Sequence, residues 1–280
     1  MKPTPIITLL TDFGTTDYFV GAMKGAILFV NQSAIIVDIT HEIPPHDIQA
    51  GAFTLAAAYK TFPAGTIHVA VVDPGVGSTR RPLLIQAGEH FFVGPDNGLF
   101  GFVYEREAAT SVRVFHLNRK QYFRSDVSDT FHGRDVFAPI AGALANGIVP
   151  AELGDEITDY VRQDSIAPHA PGDESIEASV IHIDRFGNCV TNLTRRELTD
   201  DKINGGVRLI INNQTVTSIR RFFAEETDTG GKLFAVWGSA GFLEIVAFCD
   251  SAARLLDIRR GQRVIVQSAN TAALKQSLEQ

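Results

Sequence analysis

Cysteine and basic charge are both scarce in this chain. Its 280 residues include two cysteines, Cys189 and Cys249, which fit neither a disulfide framework nor a paired-cysteine metal site, and we interpret both as core thiols. This usage favours a reducing compartment, so a cytoplasmic location is expected. The 25 Lys and Arg residues are outnumbered by 32 Asp and Glu, which gives a net charge of -7. The chain therefore lacks the broad basic face typical of proteins that bind nucleic acid.

Long apolar runs and the common nucleotide-binding motifs are absent as well. No segment approaches the roughly 20 consecutive apolar residues that cross a bilayer, and no signal-type apolar core precedes the strand-like segment 6–10. We therefore expect neither export nor a membrane partner. Neither a Gly-x-Gly-x-x-Gly fingerprint nor a P-loop occurs, so any bound nucleoside is expected to be held by other means.

Segment 38–47 is the densest in residue types that bind metals. It contains two histidines and three carboxylates, together with the consecutive prolines Pro44 and Pro45. Because proline interrupts a regular helix, these side chains are not set at the spacing of a helical metal site. We interpret the segment as a shaped loop, and we predict neither a metal nor another cofactor.

The order of apolar segments predicts an α/β protein of two domains. Strand-like runs at 6–10, 34–39, 66–72, 83–86, 90–93 and 112–116 alternate with helical patterns at 19–30, 49–61 and 135–146. This alternation predicts an N-terminal α/β domain with a layered sheet over 1–164. A turn-rich linker is expected at 165–173. Period-two patterns over 174–280, with one short helix near 250–257, predict a smaller, mostly antiparallel β domain.

Charged residues at the ends of predicted strands are the candidates for chemistry. Asp73 follows an apolar strand and precedes a Pro-Gly turn and Arg80, while His132 lies in a loop before a helical pattern. In α/β folds, ligands bind at such strand ends, and carboxylate, guanidinium and imidazole together can activate water. Each residue also has a structural interpretation: a turn cap, a surface charge and a helix N-terminal residue respectively. Asp17, before a predicted helix, is interpreted as its N-cap.

Six segments in series carry a resemblance to a known family. They are 10–14 (LTDFG), 73–77 (DPGVG), 94–99 (GPDNGL), 130–139 (TFHGRDVFAP), 184–188 (DRFGN) and 243–245 (LEI). Together they resemble the S-adenosyl-L-methionine hydroxide adenosyltransferase family, which is related to fluorinating and chlorinating enzymes that use the same substrate. The resemblance implies an N-terminal α/β domain, a barrel-like C-terminal β domain and a homotrimer with active sites between subunits.

The resemblance also implies roles for individual residues. Its catalytic Asp, Arg and His fall on Asp73, Arg80 and His132, with Arg81 as a neighbouring candidate for the arginine. The residues that it implies for substrate binding are Asp12 and His46 at the ribose, Asp184, Phe186 and Asn188 at the methionine end, and Ser239 and Phe242 facing adenine.

One comparison within the family separates hydrolysis from halogenation. Halogenating relatives carry Tyr where Asp73 stands and a small Ser or Gly where His132 stands. A carboxylate at this position repels a halide but accepts a proton from water. The resemblance therefore implies hydrolysis of S-adenosyl-L-methionine to adenosine and L-methionine. A binding protein without turnover and a halide-using adenosyltransferase remain as alternatives.

Overall fold

The computed structural model describes residues 4–162, 167–172, 175–225 and 232–268. The chain divides into two compact units, Met1–Asp164 and Ser165–Gln280. Residues 165, 166 and 173 of the predicted linker lie outside the described residues, whereas His169–Gly172 forms a strand. No helix of the described segments is long and apolar enough to cross a membrane.

The first unit is built around a mixed sheet whose central strands are parallel. Its strands are β1 (Ile6–Thr11), β2 (Ile35–Thr40), β3 (Ile67–Val71), β4 (Pro82–Ala87), β5 (His90–Pro95), β6 (Val112–Leu117) and β7 (Gly154–Ile157), in the spatial order β2-β1-β3-β5-β4-β6-β7. Strands β2, β1, β3 and β5 pair in parallel, and the remaining pairs are antiparallel. The carboxyl ends of the four parallel strands therefore share one edge of the sheet.

Helices cover both faces of this sheet. They are α1 (Phe19–Val30), α2 (Ile48–Ala58), α3 (Gly101–Arg106), α4 (Ala138–Ala145) and α5 (Pro150–Leu153), and a π-helical turn at Gly133–Phe137 leads into α4. Ile7 and Val69 pack with Met23 of α1 and Ile140 of α4, all of them buried. Strands covered on both faces read as nearly continuous apolar runs, which explains why β1 and β3 were recognisable from the sequence.

The expected N-cap of α1 is wrong. The helix begins at Phe19, and Tyr18 occupies the cap position without a side-chain cap hydrogen bond. The rings of Tyr18 and Phe19 instead pack against Phe131, at centroid distances of 6.5 and 5.3 Å. Aromatic packing, rather than the carboxylate of Asp17, holds the start of this helix.

The second unit is a curled, mostly antiparallel sheet. Its strands are β8 (His169–Gly172), β9 (Ser175–Ile183), β10 (Cys189–Thr194), β11 (Val207–Ile211), β12 (Gln214–Val216), β13 (Ile219–Arg220), β14 (Leu233–Trp237), β15 (Phe242–Ala247) and β16 (Arg263–Ser268), with short helices α6 (Asp200–Asn204) and α7 (Ala252–Leu255). The order β12-β11-β16-β9-β10-β15-β14-β13 curls as a half-barrel, and β8 pairs with β9. The predicted fold class is confirmed.

The two cysteines have different environments. Cys189 on β10 is fully buried, and burial raises the pKa of its thiol to about 12. Cys249 is exposed, in a turn after β15 where its φ is 51°. The expectation of a second core thiol is therefore wrong for Cys249, because the strand pattern ends before it.

Candidate active site

Two of the predicted site carboxylates lie at the same edge of the first sheet. Strands β1 and β3 are parallel neighbours, with Thr11 opposite Val71 at their carboxyl ends. Asp12 directly follows β1, and Asp73 follows β3 by two residues. This is the edge where open α/β sheets bind ligands.

A tight loop returns Arg80 to Asp73. The loop is closed by hydrogen bonds from Val76 N to Asp73 O at 3.2 Å and from Ser78 N to Gly75 O at 3.1 Å. Arg80 Nε then donates to Asp73 Oδ1 at 3.0 Å, and Arg80 Nη2 donates to Asp73 Oδ2. The side chains are only 8% and 5% exposed. The result is a buried, bidentate ion pair.

The same guanidinium also contacts His132. Arg80 Nη2 lies 2.8 Å from His132 Nδ1. Because a guanidinium only donates, Nδ1 must accept, and the proton of the neutral imidazole sits on Nε2. Burial lowers the pKa of His132, and so does the Arg80 charge, against the opposing carboxylates of Asp73, Asp135 and Asp129. His132 is therefore a neutral ring at neutral pH, with an Nε2–H to donate.

Arg80 retains one unused donor. Its Nη1 is buried and has no hydrogen-bond partner among the described residues. The guanidinium carbon lies 5.4 Å from the centre of the Phe137 ring, which covers it from another side. A buried donor left unpaired costs free energy, so Nη1 is suited to an oxygen that arrives with the reactants.

Close backbone contact joins the Arg80 loop to the segment before His132. Gly77 has a φ of 77°, and a Cβ at this position would stand 2.3 Å from Asp129 O. Only glycine permits this approach, since both the conformation and the space exclude a side chain. The contact fixes the two loops that carry Arg80 and His132 against each other.

Arg81 points to a different set of partners. Its Nε and Nη2 donate to Asp96 Oδ2 at 3.1 and 2.8 Å, and its Nη1 donates to Asp159 Oδ1 at 2.9 Å. Arg81 therefore ties the end of β5 to the segment after β7. Of the two adjacent arginines, Arg80 is the one that contacts Asp73 and His132.

Asp12 and His46 meet through the backbone. Asp12 Oδ2 accepts a hydrogen bond from His46 N at 2.8 Å, and His46 has a φ of 66° with an exposed side chain. The structure thus brings both predicted ribose contacts together. Segment 38–47 is only partly the expected loop, because residues 38–40 belong to β2 and the loop runs from 41 to 47, where α2 follows. The described residues include no group of three or more His, Cys, Asp or Glu that could hold a metal ion.

In the second unit, three predicted residues share one turn between β9 and β10. Asp184 Oδ1 accepts from the backbone N–H groups of Phe186 and Asn188 at 2.9 Å each, and its Oδ2 accepts from Asn188 Nδ2 at 2.8 Å. The Phe186 ring is 75% exposed. Asp184 therefore shapes this turn, while the ring of Phe186 presents an exposed apolar face.

The turn between β14 and β15 carries Ser239, and beside it on β15 lies Glu244, which belongs to the 243–245 motif but was given no role from the sequence. Ser239 is exposed, whereas Phe242 at the start of β15 is 6% exposed. Glu244 on β15 lies over Gly238, where a Cβ would stand 1.7 Å from Glu244 Oε1. Burial raises the pKa of Glu244, and the nearby charge of Asp184 raises it further. The signal in the sequence was an acidic residue inside an otherwise apolar strand.

Comparison with known proteins identifies the family. A model of the SAM hydroxide adenosyltransferase N-terminal domain matches residues 7–154, and a model of the C-terminal domain matches residues 178–265. The chain belongs to the SAM hydroxide adenosyltransferase family. The resemblance predicted from six motifs is thereby confirmed.

Within this adenosyltransferase family, relatives bear two kinds of name. A protein from Methanocaldococcus jannaschii named (R)-S-adenosyl-L-methionine hydrolase is 39% identical, over 90% of this chain and 92% of its own length. A fluorinase from Nocardia brasiliensis is 26% identical, over 94% of this chain and 97% of its own length. A solved structure of a conserved protein from Thermotoga maritima superposes with a TM-score of 0.84 at 30% identity, covering 93% of this chain and 99% of that one.

Proposed function

We propose that this protein is an enzyme that hydrolyses S-adenosyl-L-methionine to adenosine and L-methionine. The observation that carries the proposal is the buried guanidinium of Arg80, bonded at once to Asp73 and His132. Relatives named hydrolase at 34–41% identity support it, against 26% for the fluorinases from Nocardia brasiliensis and Actinoplanes.

The chemical difficulty of this reaction lies in the nucleophile. The sulfonium group makes C5′ of the ribose electrophilic and leaves as neutral methionine, so the leaving group needs no acid. Water, with a pKa near 15.7, must lose a proton as it attacks. The site must therefore supply a proton acceptor and a positive charge for the developing hydroxide. We assign the charge to Arg80, whose unpaired Nη1 is the donor for the water oxygen.

Counting lone pairs separates the roles of Asp73 and His132. The single lone pair of neutral His132, on Nδ1, already accepts from Arg80. The Asp73 carboxylate has about four acceptor positions, of which Arg80 occupies two. We therefore assign proton acceptance to Asp73, and orientation of the water to the Nε2–H of His132.

Binding of the substrate is assigned to the remaining predicted residues. Asp12 is proposed to accept from the ribose hydroxyls, beside the His46 loop. The turn formed by Asp184, Phe186 and Asn188 is proposed for the methionine end. Adenine is assigned to Ser239, in the turn between β14 and β15, and to Phe242 at the start of β15.

We also propose a homotrimer with active sites between subunits and a cytoplasmic location. Apolar side chains exposed on α1 and at the start of β2 support an assembly surface, with Phe29 87% and Ile35 50% exposed. Light scattering after size exclusion should give a mass well above the monomer. A fully active monomer would contradict the proposed assembly.

The decisive experiment follows the oxygen atom. Purified protein is incubated with S-adenosyl-L-methionine in water that carries the heavy oxygen isotope, and the products are separated and weighed by mass spectrometry. We expect adenosine and methionine in equal amounts, with the label in the 5′-hydroxyl. Substrate that binds without conversion would support a binding protein instead, and unlabelled adenosine would eliminate attack by water.

A further inference from the structure

Asp135 is a fully buried carboxylate three residues after His132. It lies in the π-helical turn Gly133–Phe137, and its side chain is 0% exposed. Arg134 donates to both of its oxygens, from Nε at 2.6 Å and from Nη2 at 2.8 Å, and Arg124 Nε approaches to 3.4 Å. A buried charge is tolerated only when it is paired in this way.

Asp135 bonds to the loop before His132 through one oxygen of its carboxylate and through its backbone carbonyl. Asp135 Oδ2 accepts from Ser128 N at 3.0 Å, and Asp135 O accepts from Arg124 N at 3.0 Å. An acidic residue in the first turn of a helix ordinarily serves the helix's own N–H groups. Here, both bonds fasten residues 124–128 to the turn that carries His132.

That loop is the one that touches the Arg80 loop. Asp129, next to Ser128, presents its carbonyl oxygen to Gly77, where only a glycine fits. A chain of direct contacts thus runs from Asp135 through Ser128 and Asp129 to the loop of Arg80. His132 lies between these two anchoring points.

We propose that Asp135 is a positioning residue for hydrolysis, which holds His132 and the 124–131 loop so that Nδ1 of His132 meets Arg80. This role rests on the proposed function above. Asp135 does not touch the reacting atoms, and it acts through the placement of His132. A misplacement of 1 Å at a catalytic group can cost about 10²-fold in rate, so a clamp of this kind has a measurable effect on turnover.

The variant Asp135→Asn removes the charge and weakens the clamp while keeping the size of the side chain. We expect kcat to fall by about 10- to 100-fold, with KM changed much less, because the substrate is held by other residues. The charged groups that face His132 are Arg80, Asp73, Asp129 and Asp135. Removing the negative charge of Asp135 lowers the pKa of His132 further, so the acid limb of the kcat–pH profile should move to lower pH.

Glu107→Gln is the matched control for loss of a buried, paired carboxylate. Glu107 is 6% exposed, and its partners are Tyr59, Lys60 and Thr110 in the same unit. This control should lose stability but keep wild-type kcat and the wild-type acid limb. If Asp135→Asn does not fold, Arg134→Gln disrupts the same clamp at a side chain that is 29% exposed.

The outcomes distinguish this role from the function on which it rests. A wild-type protein that forms no adenosine rejects the function itself. The positioning role alone is overturned if the wild type is active and folded Asp135→Asn has a kcat within about twofold of the wild-type kcat, with an unchanged acid limb of the kcat–pH profile. A loss of kcat equal to that of Glu107→Gln would assign Asp135 to stability alone.

Discussion

Replacing Arg80 by alanine should damage stability and turnover together. The side chains of Asp73 and Arg80 are 5% and 8% exposed, so the variant leaves a carboxylate buried without its partner. Breaking a buried ion pair in this way costs about 3–5 kcal/mol. In a unit of this size, each kcal/mol lowers Tm by about 2–4 °C, so we expect a drop of roughly 6–20 °C.

The effect of Arg80→Ala on catalysis should appear in kcat. Loss of one group that stabilises developing negative charge costs about 10²–10³-fold in kcat. The adenosine formed at saturating substrate measures this, at a temperature where the variant is folded. KM should change less, because Arg80 is assigned to the water and not to the substrate.

Arg81→Ala provides the matched control for this prediction. Arg81 pairs with Asp96, whose side chain is 4% exposed, so the loss of Arg81 also leaves a buried carboxylate without its cation, while Val161 N still donates to Asp96 Oδ1 at 2.7 Å. Stability should fall to a similar degree while kcat is retained. Removing Asp73 as well, in Asp73→Ala/Arg80→Ala, should recover part of the stability lost in Arg80→Ala. An Arg80→Ala protein with unchanged Tm and unchanged kcat would refute the reasoning.

Three further predictions concern pH, backbone contact and halide. Burial lowers the pKa of His68 from 6.5 to about 3, so the unfolded chain binds the proton more readily and stability falls as pH drops below 6.5. Between pH 7.5 and pH 5, the free energy of unfolding measured by urea titration should fall by about 2 kcal/mol. His68→Gln should make this pH dependence less steep, and an identical dependence in the variant would contradict the prediction. Gly77→Ala places a Cβ against Asp129 O, so it should lose more stability and kcat than Gly65→Ala. Gly65 has a similar φ of 82°, but a Cβ there has no atom within 4 Å. Equal losses in the two variants would contradict the role of the contact. Chloride in large excess should give at most traces of 5′-chloro-5′-deoxyadenosine, because Asp73 opposes an anion, and efficient chlorination would contradict this.

Much of the fold was accessible from the sequence because its signals are local. The strands β1 and β3 are buried on both faces, and α1 carries helical spacing, so apolar runs marked them directly. Short elements with polar sequences were missed. Strand β7, with the sequence Gly-Asp-Glu-Ile, is recognisable only from its pairing with β6, which brings Glu156 opposite Phe115.

The site was only partly accessible, because its geometry depends on contacts between distant loops. From the sequence, two adjacent arginines in one loop are nearly equal candidates for the catalytic role. Only the fold shows that Arg80 contacts Asp73 while Arg81 contacts Asp96. The cap expected at Asp17 failed for a related reason. The start of the helix is instead held by packing of Phe19 against the ring of Phe131, which lies more than a hundred positions further along the chain.

The arrangement around Arg80 also constrains what any one substitution can report. A single guanidinium orients the Asp73 carboxylate, fixes the tautomer of His132 and keeps Nη1 for a further oxygen. Because the three side chains share one set of hydrogen bonds, the removal of any member disturbs the other two. The losses in Asp73→Ala and His132→Ala should therefore not multiply in the double variant. Fully multiplicative losses would mean that the two residues act in separate steps, and the assignment of one proton transfer to the cluster would fail.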